Sequence, residues 1–324
     1  MKVFITREIP KVAEQKLKDA GFEIEVYKKN KPISKNELIK SAKYSDGILS
    51  LLTDKFTPEI IDKLQNCKVI ANYAVGYNNI DVEYANEKGI TVCNTPDILT
   101  DATADIALTL ILACARRLPE GEKLMRQNKF NGWQPKLLLG MELKGKTVGI
   151  IGAGRIGQAT AKRLKAFGTK IIYYNRTKKV DFESELNAKK VSLKKLLASS
   201  DIISLHLPLT NNTFHLLDKT LLSLMKPTTI LINTARGEIV DENELIKMLK
   251  AKKIFSAGFD VYENEPNINP QLLKLDNVVL LPHLGSATFE TRDAMAELAA
   301  ENIIRVLKNK KAKTPVGILA KTKK

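Results

Sequence analysis

The chain has 324 residues, 44% of them hydrophobic, and a formal charge of +16. That length suits two domains at roughly 100–200 residues each, and no apolar run approaches the roughly 18 residues of a membrane span. Cys67, Cys93 and Cys114 are odd in number, lie in apolar segments and form no Cys-x-x-Cys pair, which argues against a disulfide scaffold and for a reducing cytoplasm. The basic balance alone would suit nucleic acid. However, the lysines are dispersed, seven of them in the acid-free stretch 308–324, and no helix-turn-helix, zinc-finger or RNA-binding pattern accompanies them. A solvated surface is expected, with no nucleic-acid, membrane or metal partner.

The N-terminus opens as a strand, with no apolar signal region or small-residue cleavage site. Apolar runs at 3–6, 23–27, 47–51, 68–71 and 90–92 read as strands. Helical spacing falls between them at 12–20, 35–42 and 60–64, and 81–88 resembles a short capped helix. Strands alternating with helices predict a parallel sheet covered on both faces. The stretch from Asn72 to Asp81 leaves a strand and enters a helix, where ligands of open α/β sheets bind. Gly76 and Val75 are placed to offer backbone N–H groups to a small carboxylate; a tight turn that needs Gly76 explains the same residues equally well.

From 100 to 117 the pattern is helical and apolar almost all round, as in a helix buried within a core or between domains. The segment 129–143, with Gly132, Trp133 and Pro135, reads as an extended arm. It is either a contact for a second subunit or a surface loop anchored by Trp133.

The stretch 146–157 carries the most specific local signal. An apolar, β-branched strand runs into Gly152-Ala153-Gly154-Arg155-Ile156-Gly157, and 158–167 follows as a helix with Ala159, Leu164 and Phe167 as its apolar positions. In this context Gly152 permits the tight turn, Gly154 lets backbone approach a pyrophosphate, and Gly157 lets helix and strand pack closely. The helix start then attracts phosphate. A dinucleotide is therefore expected. The second strand, 170–174, ends in Asn175-Arg176-Thr177-Lys178-Lys179, where an NAD site usually places an acid for the ribose 2′-OH. With no acid there, and Arg176 able to pair with a 2′-phosphate, NADP(H) is expected over NAD(H).

Further βα units follow, with strands at 201–205, 228–233, 255–259 and 278–281 and helices at 192–199, 221–225, 241–250 and 291–307. Three strand ends carry polar groups: Asn233-Thr234-Ala235-Arg236-Gly237, Asp260 through Pro266, and Pro282-His283-Leu284-Gly285. They supply an arginine for a carboxylate, an acid, and a histidine able to titrate near neutrality. His206 also follows a strand, so position does not choose between it and His283.

Together and in this order, these motifs resemble the D-isomer-specific 2-hydroxyacid dehydrogenases from residue 3 to about 307, most of all the glyoxylate/hydroxypyruvate reductases. The resemblance implies an NAD(P)-dependent enzyme of the α/β class, with two doubly wound parallel-sheet domains of Rossmann and flavodoxin-like type and a catalytic cleft between them. Residues 1–99 with 288–324 would form the substrate domain and 100–287 the cofactor domain, usually paired as a homodimer.

It also implies roles. Arg236 would bind the substrate carboxylate, His283 would be the general acid, and Glu265 would bond the imidazole and fix its tautomer. Val75 and Gly76 would bind the carboxylate through backbone N–H groups, with Leu52 on the substrate side. Asp260 would hold the carboxamide and Thr234 would approach the nicotinamide ribose. His206 and Pro208 would wall the cofactor pocket, and Arg155, Ile156, Thr213, Ala235 and Gly285 would also line it. Two rivals are a phosphoglycerate dehydrogenase, whose usual regulatory domain the chain is expected to lack, and, from another class, a nucleotide-sensing corepressor.

Overall fold

The computed structural model describes residues 1–317. The chain divides into two compact units, Met1–Leu99 with Ala287–Lys324, and Thr100–Ser286. The expected second boundary, after residue 287, falls one residue earlier.

The first unit holds β1 (Lys2–Ile5), α1 (Lys11–Asp19), β2 (Glu23–Val26), α2 (Lys35–Ala42), β3 (Gly47–Ser50), α3 (Pro58–Ile61), β4 (Val69–Asn72), α4 (Val82–Glu87) and β5 (Thr91–Cys93). Its sheet is parallel, in the order β2-β1-β3-β4-β5. Side chains alternate across a strand, and the core divides accordingly. Val3, Ile5, Leu49 and Val69 face α1 and the terminal helix, Phe289–Leu307. Phe4, Ile48, Ile70 and Val92 face α2, α3 and α4. Ala296, Ala299 and Ala300 of the terminal helix are wholly buried, and a Cβ on Gly47 would stand 3.0 Å from Ile303, so small residues on both partners set the close approach of helix to sheet.

The second unit begins with α5 (Thr100–Ala115) and α6 (Leu118–Arg126). It continues through β6 (Thr147–Ile151), α7 (Arg155–Ala166), β7 (Lys170–Tyr174), α8 (Val180–Leu186), β8 (Lys189–Lys190), α9 (Leu193–Ser199) and β9 (Ile202–Leu205). It closes with α10 (Lys219–Leu222), β10 (Ile230–Asn233), α11 (Glu242–Lys250), β11 (Ser256–Phe259) and β12 (Val278–Leu280). Its parallel sheet runs β12-β11-β10-β9-β6-β7-β8. The strand order reverses between β6 and β9, the switch point at which open sheets of this kind bind ligands. The alternation repeats here: Val148, Ile150 and Ile232 pack with Leu110 and Ile111 of α5, while Ile151, Leu231 and Leu205 pack with Leu245 and Leu249 of α11.

Three local expectations need correction. Helix α7 starts at Arg155, inside the glycine motif, and buries Gly157, Thr160, Ala161 and Leu164. Phe167, expected on its apolar face, is instead its C-terminal cap and 42% exposed, and Ala159 is only half-buried. Trp133 anchors no loop within the chain, being 84% exposed. The amphipathic helices α6 and α8 and the short β8 were not expected; Pro119 and Gly121 in α6 mask its helical spacing, and it buries no residue. Of the basic C-terminal stretch, Lys308, Lys310, Lys311 and Lys313 are exposed, and 318–324 lie outside the described residues. Among the described residues, no helix is long and apolar enough to cross a membrane.

Candidate active site

The candidate residues of the second unit stand where its strands end. The three glycines after β6 serve different needs. Gly152 has φ +98°, and a Cβ there would lie 2.5 Å from the carbonyl oxygen of His206. A Cβ on Gly157 would lie 2.1 Å from the carbonyl oxygen of Gly152. Both are therefore required by the chain itself. At Gly154, φ is −78° and a Cβ would meet nothing within 4 Å. Neither backbone conformation nor packing demands glycine there, and the bare residue leaves the N-terminus of a twelve-residue helix open to approach. Gly154→Val is accordingly expected to leave the thermal midpoint unchanged and to weaken dinucleotide binding by at least about tenfold, or roughly 1.4 kcal/mol. Fluorescence titration with NADPH beside a melting curve checks this. Unchanged binding would remove the phosphate role of this turn.

At the end of β7, the Asn175 amide donates to the carbonyl (3.0 Å) and the hydroxyl (3.2 Å) of Thr177. Lys190 donates to the carbonyl of Arg176 at 3.0 Å. These bonds shape the loop and leave the Arg176 side chain exposed, while Lys178 pairs with Glu183. At the end of β9, His206 Nε2 lies 2.9 Å from the Ser204 hydroxyl, and burial depresses its pKa to about 3. Its ring is therefore neutral at pH 7. The Thr213 hydroxyl donates to the Pro208 carbonyl at 2.7 Å and accepts from the Thr210 N–H at 2.8 Å, so the turn itself accounts for that residue.

At the end of β10, buried Asn233 closes the turn, accepting from the Ala235 N–H (3.0 Å) and donating to the Arg236 carbonyl (2.8 Å). The guanidinium of Arg236 donates to the Ala235 carbonyl at 2.6 Å. Burial lowers its pKa, opposed by the charges of Glu265 and Glu238, and it stays cationic. The hydroxyl oxygen of Thr234 is buried and has no hydrogen-bond partner within the described chain. A buried, unpaired hydroxyl is costly and fits a ligand group that completes it. With bare Gly154, it makes the residues present a fit for a dinucleotide.

Two loops complete the constellation. Asp260, 1% exposed, accepts from the N–H groups of Leu284 (2.6 Å) and Gly285 (2.7 Å). Burial pushes its pKa up, against those bonds and the charge of His283. The Thr103 hydroxyl holds the Gly285 carbonyl at 2.9 Å. This clamp fixes the turn in which His283 adopts φ +57°, a left-handed conformation that costs a residue other than glycine roughly 1–2 kcal/mol. Beside it, Glu265 accepts from the Tyr262 N–H with one oxygen (3.0 Å) and lies 2.9 Å from His283 Nδ1 with the other. Burial would raise the Glu265 pKa, but the bond to His283, the charge of His283 and the Tyr262 N–H outweigh it and keep the carboxyl ionised. An ionised Glu265 accepting from Nδ1–H leaves Nε2 as the outward atom of the imidazole.

In the first unit, Val75 and Gly76 stand beyond β4. Their carbonyls accept from the side chains of Asn94 and Asn72, each at 2.8 Å, and their N–H groups have no partner among the described residues. Wholly buried Asn72 also accepts from the Ser50 hydroxyl (3.1 Å), and Asn79 donates to the carbonyls of Leu51 (3.1 Å) and Asp54 (2.9 Å). This amide network, which sequence reasoning missed, gives both the 51–54 and 72–79 loops their shape. Asparagines at strand ends beside a glycine are the signal that would have found it. Leu52 is 38% exposed in the first of these loops.

Residues 108–285 match the family model for the D-isomer specific 2-hydroxyacid dehydrogenase NAD binding domain. The chain belongs to this family. It is 51% identical over 311 residues to the glyoxylate reductase of Thermococcus litoralis, covering 95% of this chain and 94% of that protein. It is 50% identical over 307 residues to the glyoxylate reductase of Pyrococcus horikoshii, covering 94% and 92%. Among solved structures, an NADPH-dependent glyoxylate/hydroxypyruvate reductase from Sinorhizobium meliloti in complex with NADP and malonate is similar, with a TM-score of 0.87, 34% identity and coverage of 98% of this chain and 96% of that one. The protein is an NAD(P)-dependent oxidoreductase of two parallel-sheet domains.

Proposed function

We propose that the protein reduces glyoxylate and hydroxypyruvate to glycolate and D-glycerate, with NADPH preferred over NADH. The observation that carries this reading is the Glu265–His283 pair held beside half-buried Arg236, at the strand ends of a dinucleotide-binding fold. The glyoxylate reductases and the NADP-bound reductase to which the chain is similar support it.

Bound NADPH supplies a hydride to the carbonyl carbon of the keto acid. Arg236 takes the substrate carboxylate as a bidentate partner and draws charge towards the carbonyl oxygen. His283 donates the Nε2 proton to that oxygen as the carbon–hydrogen bond forms. Glu265 holds the proton on Nδ1 and stabilises the cationic ring before transfer. The N–H groups of Val75 and Gly76 serve the carboxylate, with Leu52 on the substrate side. Gly154, Arg155, Ile156 and Gly157 serve the pyrophosphate. Thr234, Ala235, His206, Pro208 and Gly285 line the nicotinamide end, where Asp260 acts both as loop clamp and towards the carboxamide.

Cofactor choice rests on the 175–177 loop. A charged bond from Arg176 to a 2′-phosphate contributes roughly 1.5–3 kcal/mol. Arg176→Ala is therefore expected to reduce the ratio of kcat/KM for NADPH to that for NADH by about 10- to 150-fold, mostly by raising the KM for NADPH. An unchanged ratio would remove Arg176 from this role. Buried, unpaired Cys67, Cys93 and Cys114 suit a reducing cytoplasm. Exposed Leu118, Met125, Phe130, Trp133 and Leu139 suit a homodimer contact through the second unit.

The reading is tested by initial rates with both cofactors and glyoxylate, hydroxypyruvate, pyruvate and 3-phosphohydroxypyruvate. Fast NADPH-linked turnover of the first two is expected. Preference for the phosphorylated acid with NADH would assign a phosphoglycerate dehydrogenase, and tight NADPH binding without turnover would assign a sensor.

A further inference from the structure

A second histidine–carboxylate pair stands in the same unit and takes no part in the chemistry above. His215 Nε2 lies 2.8 Å from the carboxylate of Glu263, two residues before Glu265. The His215 N–H donates at 2.7 Å to the carbonyl of Glu238, two residues after Arg236. The following residues continue this seam: Leu217 donates to the Ile239 carbonyl at 3.0 Å and accepts from the Asp241 N–H at 3.1 Å. His215 thus bonds by its backbone to the turn of Arg236 and by its side chain to the loop of Glu265.

Both sides of that junction are tightly constrained. A Cβ on Gly237 would lie 2.0 Å from the carbonyl carbon of Tyr262 and 2.2 Å from the nitrogen of Glu263, so the two loops pack backbone against backbone. The Glu263 N–H points to the carboxylate of buried Glu242 at 3.4 Å. The Tyr262 N–H, one residue earlier, orients Glu265. His215 itself has φ +45°, a left-handed conformation uncommon for residues other than glycine, with its ring stacked on Phe214 at 4.2 Å between centroids. A disfavoured backbone held by specific partners is the kind of local strain that accompanies positioning at functional sites.

We propose that His215 and Glu263 are positioning residues: their bond locks the Glu265 loop onto the Arg236 turn and so holds the Glu265 carboxylate in register with His283. The proposal rests on the roles given above to Glu265 and His283. A partly exposed histidine–carboxylate contact adds little to folding stability, whereas a small misplacement of a catalytic group reduces turnover severely. The pair should therefore affect kcat far more than the melting temperature.

Four variants decide it: Glu263→Ala, Glu263→Gln, His215→Ala and the His215→Ala/Glu263→Ala double. Either alanine variant is expected to lower kcat about tenfold, with the KM of the keto acid and the Kd of NADPH within about twofold of the parent. Glu263→Gln restores most of kcat, because its amide oxygen still accepts from the imidazole. The double variant is no worse than the single ones, as expected for partners in one interaction.

A second readout needs no turnover. With only three histidines, ¹⁵N-histidine NMR resolves each ring. Neutral His283 should carry its proton on Nδ1 in the parent and in Glu263→Gln, and show mixed tautomers in both alanine variants. Unchanged kcat and a single tautomer in Glu263→Ala would overturn the proposal. So would a loss shared equally by kcat, cofactor affinity and melting temperature that glutamine does not rescue. No turnover in the parent would refute the reductase reading instead, and the tautomer measurement would still decide the pair.

Discussion

Replacing His283 with alanine is expected to lower kcat for a 2-keto acid by about 10²–10⁴-fold, the usual contribution of a positioned general acid. Binding of NADPH should change little. The geometry gives two reasons for an effect at the upper end. Glu265 spends one oxygen on the Tyr262 N–H and the other on Nδ1, so the imidazole has a single orientation. Asp260 then fixes the turn itself through Leu284 and Gly285. Because His283 has φ +57°, alanine there also meets backbone strain. His283→Asn separates the two effects, since asparagine tolerates the left-handed region and has no comparable acid to offer. Stopped-flow and steady-state rates on both variants should agree. Near-normal turnover in either would refute the assignment.

Replacing Arg236 with alanine is expected to raise the KM for the keto acid and lower kcat together, reducing kcat/KM by about 10³-fold or more. The guanidinium is desolvated, so its charge acts with little screening, and in the proposed role it would hold the carboxylate in both ground and transition states. Lysine should recover only a small part, because a point charge does not reproduce the bidentate fork. A complication is that Glu265, which Arg236 helps to keep ionised, loses a favourable charge. The acid limb of the kcat/KM profile should therefore move to higher pH in Arg236→Ala, as Glu265 protonates more readily without that cation. A variant that altered only the Kd of NADPH would place Arg236 with the cofactor instead of the substrate.

Much of this arrangement was legible from residue order. Buried parallel strands are short apolar runs, and β1, β3, β4, β7 and β10 lie within a residue or two of their expected positions because period and composition both report burial. Strand-end polar motifs marked Arg236, the acids of 260–266 and two histidines, His206 and His283, because a parallel sheet gathers its strand ends at one edge; the family resemblance, not position, picked out Glu265 and His283. What escaped was long-range or idiosyncratic. The clamp of Asp260 on Leu284 and Gly285 spans 24 and 25 residues and has no spacing rule. His215 and Glu263 lie 48 residues apart, so no spacing in the sequence joins them. The glycines show the same division: Gly237 is explained by the backbone it faces and Gly152 by its left-handed φ as well, whereas at Gly154 a Cβ would meet nothing within 4 Å. Helix α7 buries Gly157, Thr160 and Ala161, small or polar residues that an apolar count passes over, and it ends at Ala166, which leaves Phe167 as a cap.

The most direct measurement is isotopic. Hydroxypyruvate is reduced with NADPH carrying deuterium at both C4 positions, and the product is examined by mass and configuration. One deuterium at C2 of D-glycerate is the expected result, because in the proposed reaction the cofactor would supply the hydride to C2 and His283 the hydroxyl proton. Product without deuterium, or glycerate of the opposite configuration, would contradict the account.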